Sequence, residues 1–128
     1  RALVRASHFF NDNSRAQKEP EALQKGDLQE FLRLVNESGD SSAQMLQNLY
    51  SLSQPTKQEI VLAIMVSKKI LDGKGAVRVH GGGFAGTIQA FVPKELADTY
   101  INEMDRIFGK NSCLKLRIRS IGGTQITE

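Results

Sequence analysis

The sequence predicts an α+β protein in which helices cover one face of an antiparallel sheet and a helical segment precedes that sheet. Apolar residues recur at helical spacing through residues 1–71, and alternation of apolar and polar residues replaces that spacing in the second half. A strongly periodic helix then separates two of the alternating stretches, an order typical of α+β chains. At 128 residues the chain has the length of one domain. We expect a single domain with a helical part, residues 1–71, and a sheet-plus-helix part, residues 72–128.

The first third of the chain predicts two helical stretches. An apolar pattern begins at Ala2, and a second stripe with spacings of three to five runs through residues 21–35, interrupted at Gly26 and Asp27. Residues 36–42 are rich in turn-forming types and predict a link rather than a helix.

A further short helix is predicted over residues 43–50, and a longer one over residues 57–71. Thr56 and Glu59 have the spacing of a capping box, which predicts the start of the longer helix. The run from Asp72 to Gly75 combines residues that commonly end helices, so we expect the helix to stop there.

The second half predicts strands joined by a glycine-rich loop and followed by a helix. Alternating apolar residues predict strands at residues 76–80 and 87–92, and Pro93 ends the second of these. Residues 96–108 carry one apolar stripe and predict a helix that Gly109 closes. A third strand is predicted at residues 113–119, with three apolar side chains facing inward: Leu114, Leu116 and Ile118. Residues 124–127 are a candidate fourth strand.

Composition and charge argue against several classes of protein, among them nucleic-acid-binding, membrane-spanning and metal-binding proteins. Seventeen Lys and Arg against fourteen Asp and Glu leave a net charge of +3, too small an excess to indicate a nucleic-acid partner. The longest apolar run, Ile60 to Val66, is too short to span a membrane. Cys113 is the single cysteine, and the start of the chain has no secretory pattern, so we expect a reducing, cytoplasmic location. His8 and His80 have no ligand spacing with Cys113, so no metal site is expected, and His8 is expected to be a packing residue.

The informative segment is His80 to Thr87, which has four glycines in six positions. A hairpin turn needs one or two glycines, so this number favours a close approach of another group to the backbone. Gly81, Gly83 and Gly86 match the spacing of a dinucleotide-binding fingerprint. That fingerprint requires a helix to open at its last glycine, whereas an alternating strand follows here, so we reject it.

The same residues also match part of a motif that is typical of RNA-binding proteins. Gly83, Phe84 and Ala85 match part of an aromatic RNA-binding strand motif, but Gly86 occupies the place of its second aromatic residue. Nearby basic residues are more economically explained as a solvated sheet face: Arg78, Lys115, Arg117 and Arg119.

Residues 78–87 resemble the third glycine-rich motif of the GHMP kinases, and four further segments are similar to the galactokinases of that family. Each segment is short, but their order along the chain matches the family pattern. They are His8 with Asn13-Ser14-Arg15, Ala22-Leu23 with Gly26-Asp27-Leu28, Leu46 to Ser53 with Tyr50 and Ser53, and Cys113 to Gly123. The chain departs from the galactokinase pattern at four positions: Gly39, His80, Ala85 and Thr87.

The resemblance implies a ferredoxin-like C-terminal lobe of a galactokinase, which transfers the γ-phosphoryl group of ATP to the anomeric hydroxyl of galactose with magnesium. Family features that bind phosphate, and the catalytic Asp and Arg, belong to an N-terminal lobe that no segment here matches. We therefore expect no catalytic residue in this chain, no ATP or magnesium bound by it alone, and the N-terminal lobe and the sugar as partners. The implied phosphate-proximal residues are Gly81, Gly82, Gly83, Phe84, Ala85 and Gly86, with His80 as a further candidate and Phe84 as the anchor that holds the loop.

The chain begins at Arg1 without a methionine, directly in a helical pattern, so we expect a piece of a longer protein. Such a piece is expected to be inactive alone and to self-associate through surface that its partner would cover. The alternative function is a non-catalytic, ferredoxin-like module that binds a small ligand or RNA.

Overall fold

A computed structural model describes residues 1–84 and 86–118. Within them the chain forms four α-helices, two short helical turns of other types and one two-stranded antiparallel sheet. The helices are α1 (Ala2–Gln24), α2 (Leu28–Ser41), α3 (Glu59–Leu71) and α4 (Ala97–Phe108); the strands are β1 (Ala76–Val79) and β2 (Ile88–Phe91). A π-helical turn spans Ser42–Leu46, and a 3-10 turn spans Lys94–Leu96. The α+β class is confirmed.

The break between α1 and α2 lies where the sequence predicts it. Gly26 adopts a left-handed φ of 72°, and the Asp27 side chain accepts a hydrogen bond from the Glu30 backbone N–H at 3.0 Å. Asp27 is thus the N-cap of α2.

Residues 36–42 were predicted to be a link, and this prediction is wrong, because α2 continues through them to Ser41. Two serines of this stretch, Ser38 and Ser41, contact polar groups on α1. His8 Nδ1 lies 2.9 Å from the Ser41 hydroxyl, and the Ser38 hydroxyl donates to Asp12 at 2.6 Å. Asp12 also pairs with Arg15 at 3.0 Å. His8 is buried, as predicted for a packing residue, with a polar partner in the neighbouring helix.

Helix α3 starts two residues later than predicted. Gln58 is its N-cap and no side chain caps the first turn, so the predicted capping box of Thr56 and Glu59 is not formed. The predicted stop is confirmed: Asp72 at the C-cap adopts a left-handed φ of 45°, and Gly73 follows at 76°. The short helix predicted over residues 43–50 is reduced to the π-helical turn, because Gln47 takes a left-handed conformation at its end.

Strands β1 and β2 pair antiparallel, with Ala76 opposite Phe91 and Val79 opposite Ile88. Apolar side chains project from both faces of this sheet. One core combines Ala76 and the half-buried Phe91 with side chains of α1 and α2: Ala22, Phe31, Leu32 and Val35. The other combines Val77 with side chains of α3 and α4: Ala63, Leu71, Tyr100 and Met104. The expectation that helices cover one face is therefore wrong, since α1 and α2 fill the face opposite to α3 and α4.

The outer edge of β1 is closed by α2. The Asn36 side chain donates to the Gly75 carbonyl at 3.1 Å and accepts from the Val77 N–H at 3.1 Å. The side chain thereby satisfies backbone groups that would otherwise bond a further strand.

The third strand predicted at residues 113–119 is not formed within the described part of the chain. Residues 113–118 are irregular, and the three side chains expected to face inward are more than three-quarters exposed: Leu114, Leu116 and Ile118. Cys113 still packs against the α3–α4 core. Arg119 and the candidate strand at 124–127 lie outside the described residues.

Candidate functional site

The glycine-rich segment is the loop that joins β1 to β2, as its position between two alternating stretches predicts. The His80 backbone N–H donates to the Thr87 carbonyl at 3.1 Å and closes the base of the loop. Gly81, Gly83 and Gly86 have left-handed φ angles of 65°, 78° and 86°. A side chain at these positions would strain the backbone, so the turn itself requires three of the four glycines.

Gly82 is different from its neighbours. Its φ is outside the left-handed region, and a Cβ built on it meets no atom within 4 Å among the described residues. A Cβ at Gly81 also meets open space. Within the described chain, therefore, nothing in the local backbone or packing requires glycine at position 82.

Gly83 is the point at which the loop meets the helical part of the chain. A Cβ there would overlap the Asn48 carbonyl oxygen and lie 2.9 Å from the Asn48 Cβ. The Phe84 N–H donates to that same carbonyl at 3.0 Å. Close contact and hydrogen bond together fix the loop against the segment that follows the π-helical turn.

Phe84 does not anchor the loop through its ring, which is 60% exposed. Its backbone has a φ of 60°, an uncommon conformation for a residue with a side chain. Phe84 thus contacts the helical part through its backbone N–H, which donates to the Asn48 carbonyl, and not through its ring.

A small cavity of about 110 Å³ opens beside the loop. Polar and apolar side chains of the 49–60 segment line it together with Phe84 and Gly86. They are Leu49, Tyr50, Ser51, Gln54, Lys57, Glu59 and Ile60. Its volume admits a few water molecules or one small group, not a nucleotide or a sugar.

Backbone amides of the loop are available to an external group. Among the described residues, no carbonyl accepts the N–H of Gly81, Gly82 or Gly83. Consecutive N–H groups of this kind bind anionic oxygens in many proteins. His80 is exposed beside them, and Ala85 lies outside the described residues.

Charged side chains of α1 interact with Arg78 of β1 and with one another around Glu19. Burial raises the pKa of Glu19 above its usual range, and the nearby Asp12 acts in the same direction, whereas Arg78 and Arg15 oppose it. No group of three or more His, Cys, Asp or Glu side chains suited to a metal ion occurs in residues 1–84 and 86–118. Magnesium, which the family resemblance implies, has no carboxylate cluster at this loop to hold it.

No protein-family model matches the chain, and no solved structure matches it. In the described part, no helix combines the length and the apolar character needed to cross a bilayer.

Sequence reasoning located the loop and missed Asn48. This residue lies in an irregular stretch where no periodicity or motif distinguishes it, 35 positions before Gly83 in the sequence. Only the folded chain brings its carbonyl and side chain against the glycines.

Proposed function

We propose that this chain is the C-terminal lobe of a galactokinase-type GHMP kinase, and that the loop at Gly81–Gly83 lies against the reacting phosphate in the whole enzyme. The single observation that carries the proposal is that nothing among the described residues requires glycine at position 82. Glycine loses more conformational freedom on folding than alanine does, which costs about 0.4–1 kcal/mol of stability. No positive φ and no close neighbour among the described residues account for glycine there, so we infer that a group outside the described residues approaches this position.

The chemistry of the family supports a backbone of this kind. Phosphoryl transfer depends on positioning and on stabilisation of negative charge, and the N–H groups of Gly81 to Gly83 have no partner among the described carbonyls. When bound, magnesium and ATP supply the phosphoryl group and part of the charge neutralisation. This chain supplies a side-chain-free wall, and the N-terminal lobe would hold the metal, since the described residues offer no cluster for it.

A missing partner lobe also accounts for apolar surface on this chain. Leu3, Phe9 and Phe10 of α1 are more than three-fifths exposed, and the two phenylalanine rings pack edge-to-face on each other with centroids 5.5 Å apart. Surfaces of this type usually bind a partner. We expect the isolated chain to self-associate through such surface, and the whole enzyme to act in the cytoplasm.

The RNA-binding alternative is less well supported. Recognition of single-stranded RNA uses exposed aromatic faces on the strands. The Phe91 ring is half-buried on β2 and packs edge-to-face against Phe31, with centroids 5.1 Å apart and planes at 89°. Lys115 and Arg117 are exposed, but they lie in the irregular stretch after α4 and not on a described strand.

The test is phosphorylation by the whole enzyme and by this chain alone. We expect the whole enzyme with ATP and magnesium to convert galactose to a sugar 1-phosphate, detected by phosphorus NMR. A panel of other hexoses tests the sugar assignment, because His80 and Thr87 depart from the family pattern. The 128-residue chain alone is expected to give no product above a blank. Turnover by highly purified chain alone, or no hexose phosphorylation by the whole enzyme, would contradict the proposal.

A further inference from the structure

Asn48 is a buried polar residue that contacts the glycine loop through both its backbone and its side chain. It is 2% exposed and follows Gln47, which has a left-handed φ of 55°. Its carbonyl accepts the Phe84 N–H at 3.0 Å, and its Nδ2 donates to the Gly82 carbonyl at 3.3 Å. The Asn48 segment therefore bonds the loop on both sides of Gly83.

The orientation of the Asn48 amide is fixed from behind. The Ser42 hydroxyl donates to Asn48 Oδ1 at 3.1 Å, and Ser42 is itself buried at the start of the π-helical turn. With the oxygen occupied by Ser42, the NH₂ group is directed to the Gly82 carbonyl. A polar chain thus runs from the π-helical turn through Asn48 to the loop.

The contact at Gly83 makes this arrangement tight. The overlap that a Cβ would have with the Asn48 carbonyl means that the loop and the Asn48 segment cannot move past each other freely. In contrast, Gly81 and Gly82 have open space beside them. Contact with Asn48 consequently fixes the position of the Gly81 and Gly82 backbone relative to the helical part.

We propose that Asn48 is a positioning residue, which holds the Gly81–Gly83 backbone at the distance required for contact with the transferred phosphate. The proposal rests on the proposed function for its catalytic consequence, but not for the positioning itself. A displacement of about 1 Å at a reacting centre can cost roughly a hundredfold in rate. A change at Asn48 should therefore lower kcat, whereas KM for ATP should change little because the nucleotide site is assigned to the other lobe.

Asn36 provides a matched control. It is also an asparagine whose side chain makes two bonds to backbone groups, at Gly75 and Val77 on the outer edge of β1. Its removal should destabilise the fold in the same way, but it lies at the opposite end of β1 from the loop.

The experiment compares Asn48→Ala with Asn36→Ala in two settings. In the 128-residue chain, amide hydrogen exchange and NMR shifts are measured for Gly82, Gly83 and Phe84. We expect Asn48→Ala to shift these signals and to raise the exchange rate of the Phe84 amide at least tenfold, and Asn36→Ala to leave them near wild type at equal loss of melting temperature. In the whole enzyme we expect Asn48→Ala to lower kcat by about 10- to 100-fold with KM for ATP within about twofold, and Asn36→Ala to keep kcat within about threefold.

Equal loop exchange in the two variants would overturn the positioning of the loop by Asn48. Normal kcat in folded Asn48→Ala, alongside a displaced loop, would overturn its catalytic consequence. A whole enzyme that is inactive even as wild type would instead overturn the proposed function, and the exchange data from the 128-residue chain would still support or overturn the positioning.

Discussion

Replacing the adjacent glycines Gly82 and Gly83 by alanine should give different outcomes, because their surroundings in the fold differ although they are neighbours in the sequence. At Gly83 the φ of 78° costs a residue with a Cβ about 1–2 kcal/mol. The added Cβ also overlaps the Asn48 carbonyl, and relief of that overlap would break the Phe84 hydrogen bond, worth about 0.5–1.5 kcal/mol. We therefore expect Gly83→Ala to lower the free energy of unfolding by about 1.5–3.5 kcal/mol.

At Gly82 neither the left-handed backbone conformation nor the overlap with a neighbouring atom applies. A Cβ meets nothing within 4 Å among the described residues, and alanine reduces the freedom of the unfolded chain, which stabilises by about 0.4–1 kcal/mol. Gly82→Ala should thus be neutral or slightly stabilising in the 128-residue chain.

The assay is thermal and urea denaturation of both variants, followed by circular dichroism. At about 4 °C per kcal/mol, Gly83→Ala should melt roughly 6–14 °C below wild type. Equal destabilisation by the two substitutions, or a neutral Gly83→Ala, would refute the view that the loop meets the helical part at position 83 and is open at position 82.

Three further outcomes are expected. Tyr100→Phe should lower the free energy of unfolding by about 0.5–1.5 kcal/mol, because the Tyr100 hydroxyl lies 2.7 Å from the Ser67 hydroxyl in the α3–α4 core; urea denaturation measures it. Burial raises the pKa of Glu19 above its ordinary 4.5. The protonated side chain therefore stabilises the fold, and this stability is lost as the pH rises through the raised pKa. Glu19→Gln should melt above wild type at pH 7, and the difference should vanish below about pH 4. Hydrogen bonds from the backbone N–H of Asn111 and from Ser112 lower the pKa of Asp105. Asp105→Ala should therefore speed hydrogen exchange of the Asn111 and Ser112 amides at pH 7. In wild type the same faster exchange should appear only as the pH falls through the lowered pKa of Asp105.

Elements with strong local periodicity were predictable from the sequence. The interior of α3, nearly all of α4 and both strands of the hairpin follow from spacing alone, and Gly26 with Asp27 marks the break between the first two helices. These features depend on side chains close in sequence, which is the information that a pattern contains.

The errors arise where distant contacts decide the structure. The serines near the end of α2 favour turns by composition. In the fold, however, Ser41 hydrogen-bonds with His8 of α1 and Ser38 donates to Asp12 of α1, which allows the helix to continue. Residues 113–118 alternate as a strand does, yet alternation does not supply the partner that a strand requires, and this segment makes no pairing with β2 among the described residues.

At the candidate site too, local features were predictable from the sequence and distant contacts were not. Glycine spacing located the loop and favoured a close approach, whereas Asn48 could be found only from its position in the fold. A motif indicates which residue types are adjacent, but not whether a side chain packs inward. At Phe84 the ring lies outward, and the backbone N–H makes the contact with Asn48.

The most direct test of the central claim is kcat of the folded Gly82→Val variant of the whole enzyme, with melting temperature recorded beside it. The φ of Gly82 is outside the left-handed region, and its Cβ position is open among the described residues, so the variant should fold. If the Gly81–Gly83 backbone lies against the phosphate, the added side chain should lower kcat about a hundredfold while the melting temperature stays within a few degrees of wild type. A kcat near that of wild type would contradict the assignment of this loop to the active site.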